Sequence, residues 1–175
     1  MPTVAIVSDT HLYHDAPESI PEWVVGRIGT ADHVIHAGDF VTGATQSYFE
    51  RLADDLVAVR GNADVSDVNL PEVATLEVDG VTFGVTHPMG IGDASVDPGA
   101  YEAAVLDPIR ERAGPDVIAV AGHTHRVIDT VVDGVRLLNP GSVTGALPAD
   151  RATMLLVTVD GGDVDVTVIG PDGPE

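Results

Sequence analysis

The segment Gly122-His123-Thr124-His125 sets two imidazoles two positions apart, directly after the apolar run Val117-Ile118-Ala119-Val120-Ala121. In an extended loop, side chains at i and i+2 point to the same side, roughly 6.5 Å apart along the chain. That spacing suits two ligands that each hold a different one of two neighbouring metal ions about 3.5–4 Å apart. Alone, an H-x-H pair says little. Its weight comes from four upstream segments that end in the same kind of residue. Asp9 and His11 follow the run Thr3 to Ser8, Asp39 follows Asp32 to Ala37, Asn62 follows Leu56 to Val59, and His87 follows Val81 to Thr86. Each has an ordinary alternative: a polar loop for the D-x-H pair, an Asx-turn for Asn62. Seven such residues at the same position relative to apolar runs point to one site, because ligands collect at the carboxyl ends of strands in open α/β sheets.

Elements must exist to deliver these ends. The runs 3–8, 32–37, 56–59, 73–78, 81–86 and 117–121 read as strands, short and apolar. Asp79-Gly80 and Asp133-Gly134 are hairpin turns, and a last hairpin turns about Asp160-Gly161-Gly162. Helices are expected over 21–29, 44–53 and 100–113. Pro21 suits a first turn, and Tyr48, Phe49 and Leu52 have core spacing. Pro108 interrupts the third, which therefore either kinks or restarts at Asp107-Pro108. The tail from Gly170, all Gly, Pro and acid in character, is expected to fray. No repeat, linker, P-loop or G-x-G-x-x-G is present, and one mixed α/β domain over residues 1–175 is the expectation.

Composition narrows the function classes. The 28 acidic residues against 8 basic ones, all Arg, give a formal charge of −20. No basic stripe exists for a nucleic-acid partner, and no apolar stretch approaches the roughly 18 residues of a membrane span. With no cysteine, thiolate metal sites and thiol nucleophiles are excluded. The absence of a basic lead-in at the N-terminus points to a cytoplasmic protein. Carboxylate, imidazole and amide ligands without thiolates suit Mn²⁺, Fe or Zn²⁺.

The order D-x-H, G-D, G-N, a lone His after a strand, then G-H-T-H resembles the calcineurin-like metallophosphoesterase superfamily, in particular its small bacterial and archaeal phosphodiesterases. Asn139-Pro140-Gly141-Ser142 matches a later element of the same family. The resemblance implies a four-layer α/β/β/α sandwich with two divalent metal ions, Mn²⁺ first, with Fe, Zn or Ni as alternatives. Asp9, His11 and His125 would hold one ion; Asn62, His87 and His123 would hold the other; Asp39 would bridge both. A hydroxide shared by the metals would be the nucleophile on a small phosphate ester, diester or monoester. No protein group is implied as a catalyst, and the molecule is expected to work as a monomer or homo-oligomer.

Two departures stand out. Many relatives carry His, or Cys in the small phosphodiesterases, where this chain has Ala63. Pro88-Met89 replaces a common Gly-His. Among other residues, Arg60 and Arg126 flank two motifs and could contact phosphate bidentately, the alternative being a structural role. His14, His33 and His36 read as loop or packing histidines, with His14 the one placed to approach the site. Trp23 with three Tyr and three Phe is too few for a base-stacking platform.

A non-catalytic protein-interaction scaffold is the main alternative, since the same fold resembles a retromer subunit that works through protein contacts. That lineage has lost part of its metal shell, whereas every ligand position is filled here. A DNA nuclease of the superfamily would need appended DNA-binding segments and a basic face, which this chain lacks. The dispersed acidity also fits a high-salt cytoplasm, where self-repulsion is screened over about 3 Å at 1 M. Far-UV circular dichroism should therefore show structure lost in dilute buffer and regained in molar KCl. A full helical and sheet signal without salt would remove the halophilic reading.

Overall fold

The structure, a computed structural model, describes residues 1–13, 19–91 and 97–175. In chain order the elements are β1 (Thr3–Val7), α1 (Glu22–Ile28), β2 (His33–His36), α2 (Gly43–Leu52), β3 (Leu56–Ala58), β4 (Val73–Val78) and β5 (Val81–Thr86). There follow α3 (Pro98–Ala113), β6 (Ile118–Ala121), β7 (Val127–Val132), β8 (Val135–Pro140), β9 (Met154–Asp160), β10 (Asp163–Gly170) and β11 (Gly173–Pro174). They form two sheets, one in the order β11-β10-β9-β1-β2-β3, the other β4-β5-β6-β8-β7.

Why the chain layers itself follows from the apolar faces. Val4 and Ile6 of β1 point one way and Ala5 and Val7 the other, and all four are buried. A strand covered on both faces reads as a continuous apolar run. Val4, Ile6, Ile35, Phe83, Val85, Val120 and Leu138 meet between the sheets. Ala5, Val7 and Val34 pack with Val24 and Ile28 of α1 and Phe49 of α2 on the outer face of the first sheet. On the far side, Tyr101, Val105 and Ile109 of α3 cover Ala119, Ala121 and Leu137. The result is the four-layer α/β/β/α sandwich.

Parallel pairing aims the site. β1, β2 and β3 are parallel to one another, as are β5, β6 and β8. α1, α2 and α3 are the helical crossovers of β1 to β2, β2 to β3 and β5 to β6, while β6 reaches β8 by way of β7. Hairpins join β4 to β5 and β7 to β8, with positive φ at both turn residues, Asp79-Gly80 and Asp133-Gly134, the geometry that tight hairpins favour.

One open alternative is decided and one expectation is corrected. The third helix does not restart at Asp107-Pro108: α3 runs through the proline, with its cap at Asp97, whose side chain accepts from Ala100 N–H. A proline removes only one backbone donor, and Val105, Leu106 and Ile109 are buried on either side of it. Nor is the tail from Gly170 frayed. Gly173–Pro174 pairs with β10 as β11, Ile169 is buried, and Arg151 forms an ion pair with Glu175. Among the described residues, no helix is long and apolar enough to cross a membrane.

Candidate metal centre

The loops after β1, β2 and β6 leave regular geometry at the residues singled out from sequence. Asp9, His11, Asp39, His123 and His125 all have positive φ, between 47° and 81°. Such backbone costs about 1–3 kcal/mol per residue and persists only where the surroundings over-determine it. Here they do. Asp9 N–H donates to Gly38 O and His11 N–H to Asp39 O, lacing the first two loops together. Ser142 Oγ donates to Asp9 O at 2.7 Å and Thr144 Oγ1 to Thr10 O at 2.8 Å. Asn139 Nδ2 reaches Gly122 O and Thr124 Oγ1, each at 3.0 Å, and also the buried Tyr101 hydroxyl. The N-P-G-S segment is thus the brace of both loops.

Close approach of the two sheets depends on Gly122, and that of the loops after β2 and β3 on Gly61. A Cβ on Gly122 would run into Ser8 Oγ, Ala37 O and Asp9 Oδ2. Without one, His123 N–H comes within 3.1 Å of Asp9 Oδ2. A Cβ on Gly61 would strike the Asp39 carboxylate. Its absence lets Ala63 N–H donate to Asp39 Oδ1 at 2.7 Å.

Two groups of ligand-type atoms result. His125 Nε2 is 3.1 Å from Asp9 Oδ1, and His11 Nε2 is 3.1 Å from Asp39 Oδ2 and 3.7 Å from Asp9 Oδ1. One ligand atom from each of Asp9, His11, Asp39 and His125 lies within 4.8 Å of all the others. Beside them, Asn62 Oδ1 is 3.0 Å from both His87 Nε2 and His123 Nδ1. Asp39 Oδ2 belongs to both groups, because His87 Nε2 is only 3.4 Å away.

The donor set itself tests whether cations fit. His87 Nδ1–H donates to Ala37 O at 2.7 Å and His125 Nδ1–H to Ala146 O at 2.9 Å. In the neutral ring the opposite Nε2 is then a lone pair. Each of these lone pairs faces oxygens: Asn62 and Asp39 for His87, Asp9 for His125. His11 Nε2 is buried and, among the described residues, makes no hydrogen bond of acceptable geometry, although Asp39 Oδ2 is near. Lone pairs converging on buried oxygens need protons or cations between them, and the residues fit divalent metal ions.

Without metal, protons take that place. Burial disfavours the charged His11 ring, but the Asp39 and Asp9 carboxylates outweigh it and raise the group to about 10. His125 is raised as well: burial opposes this, and Asp9 overcomes it. Burial would push Asp9 and Asp39 up, yet the imidazoles around them hold both carboxylates below their ordinary range. Burial pushes His123 down, which favours the neutral ring that a metal ligand needs.

A sequence profile described as the calcineurin-like phosphoesterase superfamily domain matches residues 3–162. The chain belongs to this superfamily. A probable metallophosphoesterase of Methanocaldococcus jannaschii is 35% identical over 141 residues, covering 81% of this chain and 68% of the relative. A phosphodiesterase of the same organism is 27% identical over 157 residues, 82% of this chain and 86% of its own. In fold, the chain is similar to vacuolar protein sorting 29 of Cryptosporidium parvum, with a TM-score of 0.78 and 22% identity over 97% of this chain and 91% of that one.

All seven residues singled out from sequence meet at this centre. Other residues took different parts. Arg60 is turned away from it, donating to the backbone carbonyls of Asp64, Val65 and Val68, so it braces a loop. His33 pairs with Asp55 near the surface. His36 is buried and stacked on Phe40; it accepts from Gly38 N–H and donates through Nε2 to Thr10 Oγ1, and burial lowers it to about 3. His14 lies outside the described residues.

Sequence reasoning missed Asp64. Its buried carboxylate accepts from Asp39, Val41 and Gly61 N–H, tying the Asp39 loop to the Asn62 loop. Burial raises it despite those bonds. Three buried backbone donors with no strand partner are its signal, and they are visible only in three dimensions.

The raised His11 group carries a sign that can be checked in metal-free protein. Its stabilisation is fully present below the unfolded value of 6.5 and is lost as pH rises through about 10. In EDTA and molar KCl, the denaturant midpoint of the wild type should fall over that range more steeply than that of His11→Asn. Parallel pH profiles for the two proteins would contradict the assignment.

Proposed function

We propose that the chain is a metal-dependent phosphodiesterase acting on a small phosphodiester through two divalent ions. In this reading Asp9, His11 and His125 hold one ion, Asn62, His87 and His123 the other, and Asp39 bridges them. The observation that carries it is the position of Asp39 Oδ2, which faces His11 Nε2 and His87 Nε2 together while Oδ1 is tied to Ala63 N–H. A carboxylate oxygen so shared between two imidazole groups suits a bridging ligand. When bound, two such cations lower the pKa of a water and stabilise the charge that builds on the phosphoryl oxygens.

The chain's own groups do the rest. The Ala37 and Ala146 carbonyls fix the tautomers of His87 and His125, so that both present Nε2 to the centre. Burial of Asp9 and Asp39 keeps water from screening their charge. Family membership and the phosphodiesterase among the relatives support the reaction class. Mn²⁺ is the proposed metal, on the oxygen and nitrogen character of the donors.

Bis(p-nitrophenyl) phosphate in Mn²⁺ and molar KCl is the direct assay. Asp39→Ala should lose at least about 10²-fold in kcat, the order expected when charge stabilisation at the reacting centre is removed. Metal analysis should find one ion fewer in His123→Ala and in His125→Ala. Equal activity of wild type and Asp39→Ala, or none in either, would favour the protein-interaction scaffold.

Ala63 makes a second outcome specific. Its methyl group can neither protonate a departing oxygen nor bind phosphate, and the expected proton donors, His or Cys, are missing. Diesters with a nitrophenolate leaving group should turn over well and alkyl diesters poorly. Ala63→His should narrow the gap, general acid catalysis typically contributing about 10²–10⁴-fold. Comparable rates for aryl and alkyl diesters in the wild type would count against this.

A further inference from the structure

A cavity of about 570 Å³ opens beside His123, between the start of α3 and strands β7 and β8. Its walls include Tyr101, Thr124, Val127, Ile128 and Leu137, with Arg126 as its cation and Glu102 as its carboxylate. The volume lies within the roughly 300–1,000 Å³ of sites that take small organic ligands, mostly apolar with a few polar groups. Of the seven candidate ligands His123 alone lines it, so the cavity adjoins the metal centre without being filled by it. Val127, on the edge strand β7, is 38% exposed at this cavity. Arg126 is exposed too, and among the described residues no carboxylate lies within ion-pair distance of it. In a chain with 28 acids and 8 arginines, such a guanidinium stands out.

A cation set in an apolar cavity, next to a candidate phosphoryl site, matches a ligand that is anionic at one end and apolar at the other. We propose that the cavity receives the retained substituent of the diester, an apolar group of aryl or nucleoside size, while Arg126 engages the phosphate. This rests on the phosphodiesterase reading and adds the substrate class to it. Guanidinium groups match phosphate oxygens bidentately, and Val127 and Ile128 lose exposure to water when the substituent is bound. Phosphate esters with only small alkyl substituents leave the cavity unfilled.

Two diesters with the same leaving group isolate the retained group: bis(p-nitrophenyl) phosphate and methyl p-nitrophenyl phosphate. Their kcat/KM ratio cancels whatever a substitution does to metal binding or to nitrophenolate departure. The wild-type ratio should be about tenfold or more, the order expected for burying an aromatic ring. Val127→Asp should reduce it at least about fivefold by setting a charge on the wall. Thr130→Trp, at an exposed β7 position lining the same cavity, should reduce it by filling the space and serves if Val127→Asp does not fold. A wild-type ratio near one, or one unchanged in a folded variant, would overturn the proposal.

Amide NMR shifts keep its failure distinct from failure of the esterase reading. Titrating bis(p-nitrophenyl) phosphate into the Mg²⁺-loaded protein should move Val127, Ile128 and Thr130. Shifts there without turnover would retain the cavity assignment and remove the esterase. Turnover without those shifts would do the reverse.

Discussion

The Gly122 backbone touches the ends of β1 and β2 so closely that no side chain fits between them. That contact is where the two sheets of the sandwich meet at the edge that matters. It brings His123 N–H to the Asp9 carboxylate, and it sets the imidazoles of one sheet against the acids of the other. A sandwich packed only through its apolar interior could slide by a residue or tilt without great loss. A polar edge with buried acids cannot, because a displaced carboxylate would stay buried without partners, at a cost of several kcal/mol per ion. Register, loop shape and ligand geometry therefore come as one package.

The braces around that edge share the same logic. Asp64 gathers three backbone donors from two loops, and Asn139 spends its amide on the histidine loop. Ser142 and Thr144 take up the carbonyls of Asp9 and Thr10. Between them they hold five backbone positions at positive φ. The strain is concentrated where the ligand atoms converge, as expected when geometry at a site outranks local backbone preference.

Fold alone does not separate an enzyme from a scaffold in this superfamily, because function resides in the site placed on a shared frame. The likeness to vacuolar protein sorting 29 concerns the frame. What distinguishes readings is the donor set: two imidazoles with tautomers fixed by carbonyls, a third whose buried nitrogen makes no hydrogen bond among the described residues, and one carboxylate oxygen common to both groups. Ala63 lies beside that set, and the cavity adjoins it at His123.

Strand positions, hairpin turns and the ligand residues at strand ends were legible in the chain, because apolar periodicity and turn chemistry are local properties. Ligand types at the ends of five apolar runs were legible for the same reason. The passage of α3 through Pro108 was not, since it depends on Val105, Leu106 and Ile109 finding a sheet to cover. The pairing of the last residues as β11 depends likewise on an open edge of β10. Arg60 and Arg126 look alike in sequence, each adjoining a motif. Only packing turned Arg60 onto loop carbonyls and left Arg126 at a cavity, because a guanidinium goes where donors are wanted. That demand is created by chain segments far apart in sequence.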